Sequence, residues 1–200
     1  LFGTGDGANA FADPQAEYGL SAVARHFIAG LLLHAPAMCA VVCPLVNSYK
    51  RLVSGFEAPV HITWARVNRS ALIRVPQVNP QKLDTTRIEL RCPDPSCNPY
   101  LGLAVMLKAG LHGIREGLPL PPPVEESLFA LDSSELHRRH ITTLPGTLGE
   151  ALDELRRDPV VQEALGESLY TKFLEAKTRE WGDYRRYVTP WEVERYLGVW

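Results

Sequence analysis

The stretch from Asn47 to Arg91 most constrains what this chain can fold into, because it sets arginines among β-branched and aromatic residues. It carries six arginines and two glutamates: Arg51, Arg66, Arg69, Arg74, Arg87, Arg91, Glu57 and Glu89. Short strands are predicted at 60–64, 70–75 and 86–91, and each of them contains or is followed closely by an arginine. Several strands therefore deliver guanidinium groups to one region of the fold.

The last of these strands has the sharpest pattern. Strand side chains alternate in direction, so Arg87, Glu89 and Arg91 are predicted to share one face at roughly 6.7 Å spacing. Ile88 and Leu90 then enter the core on the other face. A solvated ion-pair ladder explains such a face on an isolated strand. A guanidinium cluster built by several strands instead favours a ligand with several anionic groups, and the carboxylate within it suggests a metal ion.

Five runs of sequence resemble, in order and at matching spacing, the C-terminal catalytic half of bacterial type I glutamine synthetase. They are 47–52, 55–59, 68–70, 73–76 and 87–101. The resemblance extends over nearly all 200 residues. It implies that residues 1–200 are a partial catalytic domain, with the family's N-terminal β-grasp domain and the first half of its catalytic domain lying before Leu1.

The resemblance implies a ligase in which ATP phosphorylates the γ-carboxylate of glutamate and ammonia then displaces phosphate to give glutamine. The implied site residues are Arg51, Glu57 and Arg91 for the substrate, Arg69, Arg74 and Arg87 for ATP and phosphate, and Glu89 for Mg2+ or Mn2+. Glu57 and Arg69 are implied to be catalytic. Charge spreads over the equatorial oxygens of a transferring phosphoryl group, so fixed guanidiniums suit this chemistry. Arg66 and Lys82 receive no role from the resemblance.

The loop at 47–56 is polar and contains residues that tolerate turns, and we expect it to act as a flap. Ammonium is not a nucleophile, so a carboxylate must hold it and accept a proton, while a lid excludes water that would hydrolyse an acyl phosphate. By resemblance that carboxylate is Glu57. Its structural alternative is an ion pair with Arg51 or Arg69.

The rest of the chain predicts an α+β domain, with antiparallel strands backed by helices. Ser21 caps a helix that is predicted to run to about His34, where Pro36 interrupts it and leaves a further helical turn at 40–42. Further helices are predicted at 99–117, 147–157, 159–165 and 168–187, and a short one begins after Thr189.

Composition excludes several partners. A net charge of -2 and a pI near 6.3 argue against a nucleic-acid surface. No apolar run approaches the roughly 20 residues of a membrane span.

The cysteines Cys39, Cys43, Cys92 and Cys97 form no tight pairs, so free thiols in a reducing cytoplasm are expected, with a zinc site the weaker alternative. The resemblance implies like subunits in a ring-shaped oligomer, a dodecamer in the family, or a complementary N-terminal half.

Two other functions remain open from the sequence. One is γ-glutamylation of another amine, and the other is a non-catalytic assembly or regulatory fragment. Because Glu89 is the only probable metal ligand in the recognised motifs, this chain alone is expected to have negligible synthetase activity. One branch of the family is inactivated by attachment of AMP to a tyrosine. This chain has Phe129 at the matching position, which resembles the branch that is not modified.

Overall fold

The protein is described here by a computed structural model that covers residue 3 and residues 7–55, 58–79, 82–128 and 133–198. Within these ranges the strands are β1 (His61–Ala65), β2 (Ala71–Arg74) and β3 (Glu89–Leu90). The α-helices are α1 (Ala22–Val42), α2 (Pro99–Glu116), α3 (Ser133–Arg138), α4 (Leu148–Arg157), α5 (Pro159–Leu165), α6 (Glu167–Tyr184) and α7 (Pro190–Tyr196). Short 3-10 helices lie at Glu17–Gly19, Val46–Lys50 and Leu83–Thr85. The α+β class predicted from the sequence is confirmed.

The sheet is mixed, in the order β1-β2-β3. β2 and β3 are antiparallel, as expected, with Arg74 opposite Glu89. β1 and β2 are parallel, with His61 opposite Ala71, which differs from the antiparallel pairing expected throughout. Parallel neighbours usually need a long crossover. Here the loop 66–70 returns alongside the sheet, and hydrogen bonds to residues 124–128 hold it there.

Helix α1 is one continuous helix of 21 residues. Ser21 caps it as predicted, since its hydroxyl accepts a hydrogen bond from the Ala24 amide at 3.1 Å. The predicted break at Pro36 is wrong. Proline inside a helix costs about 3 kcal/mol because it removes one backbone hydrogen bond and crowds the preceding turn. The helix is buried on both sides of Pro36, from His34 to Val42, and that packing outweighs the local cost.

By length and composition α1 could cross a membrane, which the sequence reading missed because it ended the helix at Pro36. In the structure 78% of its most apolar window is buried. It packs mainly on α2 and α4, and its apolar side chains form the centre of the core. Its hydropathy is therefore explained by its place as the core helix.

Helices α2, α4, α5 and α7 lie within a residue or so of their predicted limits, whereas α6 ends at Tyr184 instead of 187 and α3 was not predicted. Asn98 caps α2 by accepting hydrogen bonds from two amides of its first turn, and Gly117 ends the helix in the left-handed conformation. Thr189 and Glu192 form a capping box at α7, in which each side chain accepts from the other residue's amide. Capping residues thus mark the helix ends in both the sequence and the structure.

The backbones of α1 and α2 touch at two glycines. A Cβ added at Gly113 would lie 2.1 Å from the His26 carbonyl oxygen, and one added at Gly30 would lie 2.2 Å from the Ala109 carbonyl oxygen. Both clashes are with backbone atoms, which cannot rotate away. The two helices therefore approach as closely as they do only because neither position carries a side chain.

We expect Gly113→Ala to lower the free energy of unfolding by about 3 kcal/mol, because the added methyl overpacks a backbone contact. Gly182→Ala in α6 is the matched control, since nothing lies within 4 Å of its would-be Cβ. That change should raise the free energy of unfolding by about 0.5–1 kcal/mol through helix propensity. Urea unfolding followed by circular dichroism measures both. Equal effects of the two substitutions would contradict the close contact.

Candidate active site

The neighbouring strands β2 and β3 bring two arginines to one carboxylate. Arg74 Nη2 lies 2.7 Å from Glu89 Oε2, and Arg91 Nε lies 3.4 Å from Glu89 Oε1. Arg74 reaches Glu89 because the two residues are directly opposite in the sheet. Arg91 immediately follows β3, and because its amide still pairs with the Leu72 carbonyl of β2, the chain continues extended there and Arg91 shares the face of Glu89. The shared face predicted for Glu89 and Arg91 agrees with this contact.

Arg91 is fixed at a second point, on the loop between β1 and β2. Its Nη1 donates a hydrogen bond to the Arg69 carbonyl oxygen, and its backbone amide donates to the Leu72 carbonyl at 3.0 Å. The Arg69 side chain is itself exposed. Arg74, Glu89 and Arg91 therefore form one cluster of charged side chains at the β2–β3 edge, and the Arg69 carbonyl joins that cluster to the loop 66–70.

Arg51 comes to the end of the same strand from a different part of the chain. It follows the 3-10 helix Val46–Lys50, and its guanidinium donates to the carbonyls of Cys92 at 3.2 Å and Pro93 at 3.4 Å. These carbonyls immediately follow Arg91. Glu57, the predicted ammonium-binding carboxylate, lies outside the described residues, as does Phe129.

Arg87 makes no contact with the Arg74–Glu89–Arg91 cluster among the residues that the structure describes. β3 begins only at Glu89, so Arg87 precedes the strand and does not share its alternation. Its guanidinium donates to the Thr85 carbonyl at 3.3 Å. The side chain lines an apolar cavity of about 530 Å3 together with Phe11, Phe27 and Leu103.

The two basic residues without a predicted role lie apart from the cluster. Arg66 stacks on the Tyr18 ring, with its guanidinium carbon 4.9 Å from the ring centroid, and both residues line a cavity of about 270 Å3. Lys82 is exposed and precedes the 3-10 helix Leu83–Thr85.

The polar residues that hold the arginine-bearing loop were missed by the sequence reading. Asn68 and Ser70 flank Arg69 and are buried, and Glu125 accepts hydrogen bonds from the Arg66 and Val67 amides. The motif Asn-Arg-Ser singled out its arginine alone. A buried neighbour on each side of an exposed residue cannot be recognised without knowing which segment packs over the loop.

All four cysteines are free thiols. Cys39, Cys43 and Cys92 are buried, and the Cys43 thiol donates to the Cys92 carbonyl at 3.1 Å. Hydrogen bonds from the Cys39 and Cys43 thiols lower the pKa of Cys92 well below its usual value, against the effect of burial. Among the described residues no group of three His, Cys, Asp or Glu side chains is arranged to hold a metal ion, so a zinc site finds no support there.

The same finding bears on Mg2+ or Mn2+ at Glu89. A divalent cation of this kind takes several oxygen ligands. Glu89 is a suitable oxygen donor, and its side chain is 42% exposed, but in the described part of the chain it belongs to no group of three His, Cys, Asp or Glu side chains that could hold an ion. Glu89 could therefore supply one ligand, and the others would have to come from elsewhere.

Native-state thiol labelling should modify Cys97 alone, because it is the one cysteine that is only partly buried. Unfolding in guanidinium chloride should expose all four thiols to the reagent, which a colorimetric disulfide reagent counts. Cys97→Ser is the control and should abolish native labelling. Rapid native labelling of Cys92 would contradict the burial described here.

Comparison with known proteins shows which family the chain belongs to. A family model for the glutamine synthetase catalytic domain matches residues 1–196. A glutamine synthetase from Thermus thermophilus is 56% identical over 195 residues, which is 98% of this chain and 43% of that protein. One from Methanocaldococcus jannaschii is 49% identical over 193 residues, 96% of this chain and 42% of that protein. The chain thus spans less than half the length of these relatives.

Two solved structures of GmaS share the fold. A GmaS/ADP complex superposes with a TM-score of 0.83 at 36% identity, over 97% of this chain and 44% of that one. GmaS without ligand superposes with a TM-score of 0.80 at 34% identity, over 98% of this chain and 42% of that one.

Proposed function

We propose, from the premise that this chain belongs to the glutamine synthetase catalytic-domain family, that it forms part of an ATP-dependent glutamate–ammonia ligase. Residues 1–200 are proposed to contribute the phosphate-binding and substrate-carboxylate half of the site. The portion of the relatives that this chain does not span is proposed to contribute the rest. The observation that carries the proposal is the Arg74–Glu89–Arg91 cluster, joined to Arg69 at one end.

The reaction needs two displacements. An oxygen of the glutamate γ-carboxylate attacks the γ-phosphorus of ATP, and the bond from that phosphorus to the bridging oxygen breaks, which releases ADP. Ammonia then attacks the acyl carbon, phosphate leaves with the electrons of the carbon–oxygen bond, and the nitrogen loses one proton, which the departing phosphate can accept. Both steps concentrate negative charge on phosphoryl oxygens, which guanidiniums fixed in advance stabilise.

The proposed roles are those that the family resemblance implies, and the contacts of Arg74, Arg91 and Arg51 support them. Arg69 and Arg74 bind the phosphoryl oxygens, and Arg91 binds the γ-carboxylate or its phosphate. Arg51, which donates to the Cys92 and Pro93 carbonyls, is proposed to bind glutamate. Glu57 is proposed to accept a proton from ammonium, and Arg87 to contact the nucleotide phosphates after it leaves the Thr85 carbonyl.

Glu89 is proposed to give one ligand to a Mg2+ or Mn2+ ion whose other ligands come from outside the described residues. When bound, such an ion neutralises charge on the nucleotide phosphates. In the absence of ligands Glu89 holds Arg74 and Arg91 in place. Both ion pairs of Glu89 are partly exposed to solvent, so an incoming anion can replace the Glu89 carboxylate at a modest cost in free energy.

Assembly with further protein surface is also proposed. Tyr100 and Leu103 on α2 are 83% and 65% exposed, and Trp191 and Leu197 near the C-terminus are 62% and 75% exposed. Apolar side chains so exposed on two helices favour burial against like subunits or the complementary part of the enzyme. The free thiols fit a reducing compartment, and we propose the cytoplasm.

Arg74→Lys tests the phosphate-binding role in the complete enzyme. Lysine keeps the charge but loses the paired donors, so we expect kcat for ATP-dependent glutamine formation to fall by about 10²–10³-fold. Arg179→Lys is the matched control, since Arg179 lies on the surface of α6 in an exposed pair with Glu175. An Arg74→Lys enzyme with the control's activity would overturn the assignment.

This chain by itself should form negligible glutamine from ATP, glutamate and ammonia.

We also propose that the enzyme belongs to the branch that is not modified with AMP. Phe129 has no phenolic oxygen, so an adenylyl ester cannot form at that position. Incubation with a bacterial adenylyltransferase should leave the peptide 124–138 without an AMP adduct in mass spectra. The complete enzyme should instead be inhibited by glutamine. An adduct in that peptide would refute the assignment.

A further inference from the structure

The loop 66–70 presents Arg69 at the site while its own polar groups are tied elsewhere. Arg69 is exposed, whereas its neighbours Asn68 and Ser70 are only 8% and 2% exposed. The segment that buries them is 124–128, which follows the proline-rich stretch after α2. Two parts of the chain that are more than 50 residues apart thus meet beneath Arg69.

The Asn68 amide uses its full hydrogen-bonding capacity in this contact. Its Nδ2 donates to the Val124 carbonyl at 2.8 Å and to the Glu126 carbonyl at 2.5 Å. Its Oδ1 accepts from the Ser70 amide at 2.9 Å and from the Ser70 hydroxyl at 2.6 Å. If the side-chain amide were flipped, its oxygen would face the Val124 and Glu126 carbonyl oxygens. The four hydrogen-bond partners therefore determine the orientation of the amide.

Two more residues complete the attachment. The Ser70 hydroxyl accepts from the Leu128 amide at 3.2 Å while it donates to Asn68. The Glu125 carboxylate accepts from the Arg66 amide at 2.9 Å and from the Val67 amide at 3.0 Å. The backbone on both sides of Arg69 is therefore held by side chains, with no helix or strand ladder needed.

We propose that Asn68 is a positioning residue, which fixes Arg69 and, through the Arg69 carbonyl, Arg91 by tying loop 66–70 to segment 124–128. The side-chain amide of Asn68 can position both Arg69 and Arg91 because the two arginines are linked. The Arg69 carbonyl accepts from Arg91 Nη1, so a displacement of the loop moves both guanidiniums together. This inference rests on the proposed role of these arginines in phosphate binding.

The variant Asn68→Asp tests it, because it keeps the shape and the acceptor but replaces the two donors with a carboxylate that faces two carbonyls. In the complete enzyme, hydrogen exchange in peptides covering 66–70 and 124–128 should accelerate about tenfold or more, as loss of buried hydrogen bonds predicts. Peptides from α4 and α6 should be unchanged. Gln15→Glu is the control, since it makes the same amide-to-acid change on an exposed side chain.

The functional readout separates positioning from general damage. Asn68→Asp should weaken ADP binding about tenfold, the effect of losing one charge-assisted hydrogen bond, and leave adenosine binding unchanged. Equal weakening of both ligands, or unchanged exchange in the two segments, would overturn the inference. If Asn68→Asp fails to fold, Glu125→Gln gives the same test at the surface, because it loses one of two carboxylate acceptors and should show the same pattern with smaller changes. A wild-type enzyme that binds no ADP would refute the proposed function, while the exchange result would still decide whether Asn68 holds the loop.

Discussion

The close contact of α1 and α2 at Gly30 and Gly113 is the constraint on which the site depends. It sets the position of the C-terminal end of α1, and that end in turn holds the segment that follows β3. The Val42 carbonyl accepts from the Asp94 amide at 3.1 Å, and the Cys43 thiol donates to the Cys92 carbonyl. The guanidinium of Arg51 binds the same stretch of backbone. A substitution at Gly30 or Gly113 would therefore disturb the site indirectly, by displacing the C-terminal end of α1.

The helices were the most predictable part of the fold, because their limits are encoded locally. Asn98, Thr189 and Asp158 each cap the helix that follows them, with first-turn prolines at all three. Pro36 is the exception. Proline does disfavour a helix locally, as the prediction assumed. The sequence pattern does not reveal that the turns on both sides of Pro36 are buried. Tertiary packing decided the outcome at that position.

The site was predictable in composition but not in geometry. Strand alternation placed Glu89 beside Arg91, and the pairing of β2 with β3 added Arg74. Alternation failed for Arg87 because the strand is only two residues long and begins after it. The parallel return between β1 and β2 depends on Asn68 and on carbonyls more than 50 residues away, and contacts of that range leave no local signal.

The arginines of the site are held in two different ways, and the difference matters for an anionic ligand. Arg51 and Arg87 donate to neutral carbonyls, which orient a guanidinium without cancelling its charge. Among the residues that the structure describes, Arg74 and Arg91 share a single carboxylate, Glu89, which balances only part of their combined charge. The whole chain has a net charge of -2, which makes this positive surplus strictly local. The Glu89 carboxylate keeps the Arg74 and Arg91 guanidiniums close in the absence of ligand, and backbone carbonyls hold Arg51 and Arg87 at their own positions, so that folding orients these groups before phosphate arrives.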